Sequence, residues 1–397
     1  MSFIGVVCEY NPFHLGHALH LERSRRAAGD LPVVCVMSGD FVQRGEAALE
    51  DKFARSEAAC RCGADAVFEL PLPWALSSAE GFARGAVALL GALGASCLSF
   101  GAEDADIPRL SALASALCRA ETVESARAKM AAEPELSFAA AREAALRDIL
   151  GADAELIEKP NNILAVEYLK AVEQLDLDLE PLAIPRSGAG HDSVSDVELR
   201  SAAEIRAMLL RGEDALRCMP EASAEIYMRE LRSGRLPEPS ALEAAMLSRL
   251  RTLGEAELCK LPDAGGGLAQ RLRRAAAEEP DIGAVCAAVK NKRLAMSRVR
   301  RAVCCAALGV TADMAAGAPP YARLLAANAR GRKLLGEIKK NCSVPIVTRP
   351  SVVREFGGEA EHIFSLGAAA HDLYALARPA VEQRRGGEDW RASPAML

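Results

Sequence analysis

The chain is 397 residues long, half of them apolar, 26% charged and 4% aromatic, with a formal net charge of −6; it is long enough for two domains, each burying its own core. No run of about 18 apolar residues and no signal-type N-terminus occurs, which excludes a membrane span and sets the expected location in the cytoplasm. The acidic balance excludes a globally basic nucleic-acid binder while allowing a local basic surface, and the twelve cysteines read as small buried hydrophobes rather than a disulfide framework.

An apolar run from Phe3 to Cys8 reads as a buried strand, Asn11-Pro12 ends it, and a helical period takes over from His17. In such a strand, loop and helix unit the free N–H groups and dipole of the helix start attract phosphate, and Gly16 lets backbone approach a ligand. His14 and His17 then stand side by side. Each imidazole can donate to phosphate oxygens as charge grows during attack at an α-phosphorus, so no covalent nucleophile is needed, and the inference is adenylyl transfer. The spacing alone fits capping or packing equally well; the place of the pair at the end of the first strand favours a ligand. A zinc site is the weaker reading, because helical zinc pairs favour i, i+4 spacing and no third ligand lies nearby.

Pro32 to Met37 reads as a second strand, and Ser38 to Gly45, with two glycines and Arg44, as a ligand loop. Asp51 caps a helix running to Cys62, with Gly63 as its αL stop. Ala64 to Leu70 is a third strand, Ser77 to Glu80 a capping box opening a helix that ends near Gly94, and Ser96 to Phe100 a fourth strand leading into Gly101. This alternation predicts an α/β fold, a Rossmann-like parallel sheet of right-handed βαβ units. Ile107 to Leu150 is helical. After Pro160, Asn161 and Asn162 open another helix; one is expected to cap it and the other to hydrogen-bond a nucleotide. Pro181 to Pro185 reads as the last strand, ending at Arg186 before a Gly-Ala-Gly phosphate-type loop.

Ser201 to Glu204 is a second capping box and marks the expected boundary between a nucleotide-binding domain, 1–195, and a mostly α-helical domain, 196–397. Within the latter, Lys290, Lys292, Arg293, Arg298, Arg300 and Arg301 form a basic run on an amphipathic helix, with no acid between Asp281 and Asp313. A solvated face is the ordinary explanation, but the missing acidic partners favour phosphate contact. The low aromatic content provides no base-stacking platform, so RNA contact is expected through shape and phosphate. Val344 to Val347 reads as a short strand and Glu361 to Ala377 as a helix whose His362 and His371 are structural. The tail after Arg384 reads as poorly ordered.

Taken in order, Val6 to His20, Ser38 to Asp51 with Phe41-Val42-Gln43-Arg44-Gly45, Gly63 to Pro71, Phe100-Gly101, Pro160 to Leu164, Arg186 to Gly190, Ala203 to Arg206 and the basic run from Lys290 resemble the tRNA(Met) cytidine acetate ligase family. That family is a bacterial group within the HxGH nucleotidylyltransferase superfamily. The resemblance implies that ATP and acetate form acetyl-adenylate and pyrophosphate, and that the acetyl group passes to N4 of the wobble cytidine of elongator tRNA(Met). It maps the ATP contacts onto Val7, Cys8, Glu9, Tyr10, Asn11, Pro12, Phe13, His14, Leu15, Gly16, His17, Ala18, Leu19 and His20, then Gly101, Asn161 or Asn162, and Arg186. His14 and His17 are the implied catalytic pair, and the basic run the implied tRNA contact. Mg²⁺ is expected with ATP, with no protein ligand assigned. Three positions depart from the family pattern: Ala102 replaces a serine, Gly190-His191-Asp192 is shortened, and Asp40 stands where Asn is usual. Two other readings stay open: a nucleotidylyltransferase acting on a small metabolite, and a non-catalytic nucleotide- or RNA-binding protein.

Overall fold

The computed structural model describes residues 2–133, 136, 138–186, 199–292 and 294–397. The first half of the chain forms strands β1 (Ile4–Cys8), β2 (Val33–Ser38), β3 (Phe41–Val42), β4 (Glu46–Ala47), β5 (Ala66–Leu70), β6 (Cys97–Ala102) and β7 (Glu180–Pro185). Among them lie helices α1 (Leu15–Ala27), α2 (Lys52–Arg61), α3 (Ala79–Leu93) and α4 (Pro160–Gln174). From the second half the helices α5 (Ala202–Leu210), α6 (Met296–Leu308) and α7 (Gly358–Leu376) matter here, together with β8 (Ala322–Ala327), β9 (Ile346–Val347) and β10 (Ala395–Met396).

The main sheet runs β10-β8-β5-β2-β1-β6-β7, with β9 also on β8. β1 lies parallel between β2 and β6, pairing Val7 with Val36 and Val6 with Ser99. Because successive side chains point to opposite faces, β2 sends Val34 and Val36 into a core with Phe68, Leu90 and Phe100, and Val33, Cys35 and Met37 into one with Leu21 and Ala58. Both faces are covered, as a parallel sheet requires. A third apolar cluster lies among the second-half helices, where Leu272, Val299 and Tyr374 meet Phe41 and Leu76. No helix of the described residues is long and apolar enough to cross a membrane, and all twelve cysteines are free thiols.

Several expectations are corrected. Pro181 to Pro185 forms one edge of the sheet but is not its last strand in sequence: β8, from the second half, joins it antiparallel to β5. Its run Ala322–Ala327, apolar but for Arg323, falls inside a stretch whose period reads as helical, and periodicity cannot separate a short buried strand from a buried helix segment. The tail after Arg384 is ordered, since β10 pairs with β8 and Asp389 is fully buried against Lys52 and Arg323 at 2.7 and 2.8 Å. Ion pairing, invisible to an apolar count, holds it. Ser78 alone caps α3, accepting from the Gly81 N–H at 3.3 Å; Glu80 instead pairs with Lys170 at 2.6 Å. Asp51 caps α2 as expected, but Gly63 has φ +127°, outside the αL region. Neither Asn161 nor Asn162 caps α4, whose N-cap is Lys159.

Candidate nucleotide site

The carboxyl end of β1 leads into the loop from Glu9 to Phe13, where α1 begins. Tyr10, Asn11, Pro12 and Phe13 are buried, whereas Val7, Cys8, Glu9 and Leu15 to His20 are partly exposed. The loop is fixed from beneath: Leu49 N–H donates to Asn11 Oδ1 at 2.7 Å, Arg55 Nη1 to the Glu9 carbonyl at 2.5 Å, and Ser223 Oγ to the Phe13 carbonyl at 2.9 Å.

His14 is the N-cap of α1, its Nδ1 accepting from the Gly16 N–H at 3.1 Å, while His17 Nδ1 accepts from the His14 N–H at 3.3 Å. A nitrogen that accepts a backbone N–H carries no proton, so both neutral rings are protonated at Nε2. The rings stack with centroids 3.7 Å apart, and Tyr10 packs on His17 at 4.8 Å. Burial lowers the pKa of His14 to about 4, helped by the Arg186 guanidinium; burial, His14, Arg186 and His20 lower that of His17. His20, also lowered to about 4 by burial and Arg186, sits 3.2 Å from Ser99 Oγ. At neutral pH the pair is therefore uncharged and presents two Nε2–H donors. The capping reading and the ligand reading hold together: one ring nitrogen caps, the other is left for an anion.

Arg186 follows β7 directly and anchors its N–H to the Ala102 carbonyl at 2.8 Å. Its Nη1 donates to Asn161 Oδ1 at 3.0 Å. A Cβ at Gly101 would lie 3.0 Å from the Arg186 side chain, so glycine there leaves the guanidinium its place. The two asparagines separate. Asn161 faces the surface beside Arg186, while Asn162 is fully buried and its Oδ1 accepts from the N–H groups of Glu103 and Asp104 at 3.0 and 3.2 Å. Glu103 returns both oxygens to the start of α4, accepting from Asn161 and Asn162. Ala102 is buried, and no side-chain hydroxyl reaches the site there. Gly188 to Asp192, including His191, lies outside the described residues.

The loop after β2 contributes more than its glycines signalled. Strands β3 and β4 form a hairpin whose tip is Gln43-Arg44-Gly45. Gln43 N–H donates to Glu9 Oε1 at 2.8 Å. Arg206 of α5 donates to the Asn11 carbonyl and to Glu46 Oε1, both at 2.7 Å. Gly45, at φ +74°, presses on α6 so closely that a Cβ would lie 2.4 Å from Arg301 N. Asp40 is instead buried 2.9 Å from His371, whose other nitrogen meets Glu388 at 3.1 Å.

The basic run is also redistributed. Only its last three basic residues lie on α6; Lys290 and Lys292 precede the helix, and Arg293 lies outside the described residues. Lys290, Lys292 and Arg300 are exposed, whereas Arg298 is half-buried and donates to the Asp263 carbonyl at 2.6 Å. Burial lowers the pKa of Arg301. Among the described residues no cluster of three or more His, Cys, Asp or Glu side chains is placed to hold a metal ion.

A family model described as HIGH Nucleotidyl Transferase matches residues 1–389. A tRNA(Met) cytidine acetate ligase of Syntrophotalea carbinolica is 37% identical over 91% of this chain and 89% of its own, and one of Syntrophomonas wolfei 33% identical over 99% of both. Crystal structures of Thermotoga maritima TmcAL, apo and bound with alpha-thio ATP, superpose with TM-scores of 0.94 and 0.93 at 32% identity, covering 100% of both chains.

Proposed function

From the premise that the chain belongs to the tRNA(Met) cytidine acetate ligase family of HIGH nucleotidyl transferases, we propose how its residues carry that reaction. The protein is an ATP-dependent ligase that activates acetate as acetyl-adenylate, releases pyrophosphate, and acetylates tRNA(Met) at N4 of the wobble cytidine.

In the first step an acetate oxygen attacks the α-phosphorus and pyrophosphate leaves. Charge builds on the α-phosphate oxygens, and donors already aimed at them need no reorganisation. His14 and His17 are those donors: with each Nδ1 held by a backbone N–H, the Nε2–H of each is left to donate at the start of α1. Arg186, beside Asn161, supplies the fixed positive charge for phosphate, and Gly101 keeps its path open. Asn161 is the nucleotide contact of the asparagine pair, since Asn162 is committed to the turn after β6. Mg²⁺ would accompany the triphosphate and offset its charge, with no side chain here assigned to hold it. Lys290, Lys292 and Arg300 are read as the phosphate-facing part of the tRNA surface.

The observation that carries this reading is that both stacked imidazoles accept a backbone N–H at Nδ1, which leaves Nε2 of each to donate. Incubation with ATP and labelled acetate tests it: acetyl-adenylate should form without tRNA and labelled cytidine only with it. Pyrophosphate release indifferent to acetate would refute it.

A further inference from the structure

Glu9 follows β1 directly, half-buried, as the first residue of the loop that leads to the imidazole pair. Its Oε1 accepts from the Gln43 N–H at 2.8 Å; among the described residues its Oε2 receives no hydrogen bond and, unlike both oxygens of Glu50, is not sealed from solvent. The other carboxylates near the loop are committed, Glu103 to the start of α4 and Glu46 to Arg206. Arg44, next to Gln43, is exposed and has no hydrogen bond or ion pair among the described residues. The same turn presses on α6 through Gly45. An open carboxylate oxygen and an unpaired guanidinium thus share one turn, between the imidazole pair and the candidate tRNA face.

The second half-reaction needs something the imidazoles do not supply. The N4 amino group of cytidine is conjugated to its ring and weakly nucleophilic, and it carries a surplus proton once it has attacked. His14 and His17 are protonated at the nitrogen they present, so they are set as donors to phosphate.

We propose that the Glu9 carboxylate receives the N4 amino group of the target cytidine and takes its proton during acetyl transfer, with Arg44 holding an adjoining RNA phosphate. Oε2 accepts N4–H, as carboxylates do in reading cytosine. N4 attacks the acetyl carbonyl carbon and the C–N bond forms. The acyl C–O bond to the α-phosphate breaks, AMP leaves with that electron pair, and the N4 proton passes to Glu9. Groups from every side face this carboxylate. Burial raises its pKa, while the Gln43 N–H, Arg44 and Arg55 of α2 draw it back and Glu46 pushes it up; Tyr168 of α4 faces it as well. The net rise strengthens it as a base. The proposal rests on the acetate ligase reading above.

Glu9→Gln tests it, because the amide oxygen still accepts from Gln43 N–H and only the base is removed. Single-turnover transfer of label from added acetyl-adenylate to tRNA(Met) is expected to fall at least about 100-fold and to lose the acid limb of its pH profile. Glu9→Asp recovers part of the rate. Acetate-dependent ATP–pyrophosphate exchange falls far less than transfer. Transfer at the unaltered rate and pH profile in Glu9→Gln overturns the proposal, leaving Glu9 only a holder of the turn. Exchange falling as far as transfer also overturns it, because Glu9 then acts on ATP. If the unaltered protein labels no cytidine, the parent reading fails and takes the proposal with it, so the two failures are told apart.

Discussion

Arg206 Nη1 donates to the carbonyl oxygen of Asn11 at 2.7 Å, across a sequence separation of 195. A helix of the second half of the chain thereby holds the nucleotide loop, and through Glu46 the same guanidinium holds the hairpin that touches α6. Replacing Arg206 with Ala leaves a buried carbonyl short of a donor, a loss of about 1–3 kcal/mol. ATP–pyrophosphate exchange should lose roughly 5- to 100-fold in kcat/KM, and Arg206→Lys should restore little of it because a single ammonium cannot make the fork. An unchanged kcat/KM in the alanine variant contradicts the role.

His17→Ala should slow acetyl-adenylate formation about 10²- to 10³-fold, with little loss of tRNA affinity. His14 stays neutral until the pH approaches about 4, the value to which burial and Arg186 lower it, and burial with His14 beside it holds His17 well below the ordinary histidine value. Stability follows the same shift. Between the ordinary histidine pKa of 6.5 and about 4, His14 and His20 take up protons when the chain unfolds and not before, so stability falls as pH drops through that window. Denaturant titrations at pH 7 and pH 5 of the protein and of a His20→Gln variant check this: the variant should lose less stability on acidification.

Alanine at Lys290, Lys292 and Arg300 should weaken tRNA binding and lower the salt slope by about 1 for each phosphate left without its cation. Arg298→Ala is expected to act differently, loosening the loop at Asp263 that its guanidinium holds. Titrations at two salt concentrations separate them, and an unchanged slope in the triple variant removes the surface from the tRNA path.

Lys52 lies buried against Asp389 and Glu69 at 2.7 and 2.8 Å, and Arg378 joins Asp51 to Glu388. Lys52→Met leaves Asp389 and Glu69 to share Arg323 as their one remaining cation and should cost about 3–5 kcal/mol in chemical unfolding. Its neighbour His371 loses from burial but gains more from Asp40 and Glu388, which carry its pKa to about 10. Its contribution is complete below the unfolded value of 6.5 and is lost as pH rises toward 10. His371→Gln should flatten the stability decline measured between pH 7 and 9.5.

Much of the site was legible because its signals are local. The run ending at Cys8, the turn at Asn11-Pro12 and the helical period after His17 each span a few residues, and a histidine at a helix start can cap, pack or face a ligand. Here His14 caps through Nδ1 and leaves Nε2 free. Arg186 was legible as a strand-end arginine. The choice between Asn161 and Asn162 was not: one residue of helical rotation sends the second into the core and leaves the first beside Arg186.

The sequence by itself determined the order of the five parallel strands and their crossover helices in the first half of the chain and the imidazole pair that opens α1, since periodicity and helix-start chemistry act over single turns of chain. Only the tertiary structure decided that Arg206 grips Asn11, that Glu9 meets the hairpin, that Asp389 lies on Lys52 and that β8 crosses from the second half into the sheet. The reason is physical: a guanidinium or carboxylate carries no local mark of its partner, and among 48 basic and 54 acidic residues the pairing is fixed by which backbones the cores bring together.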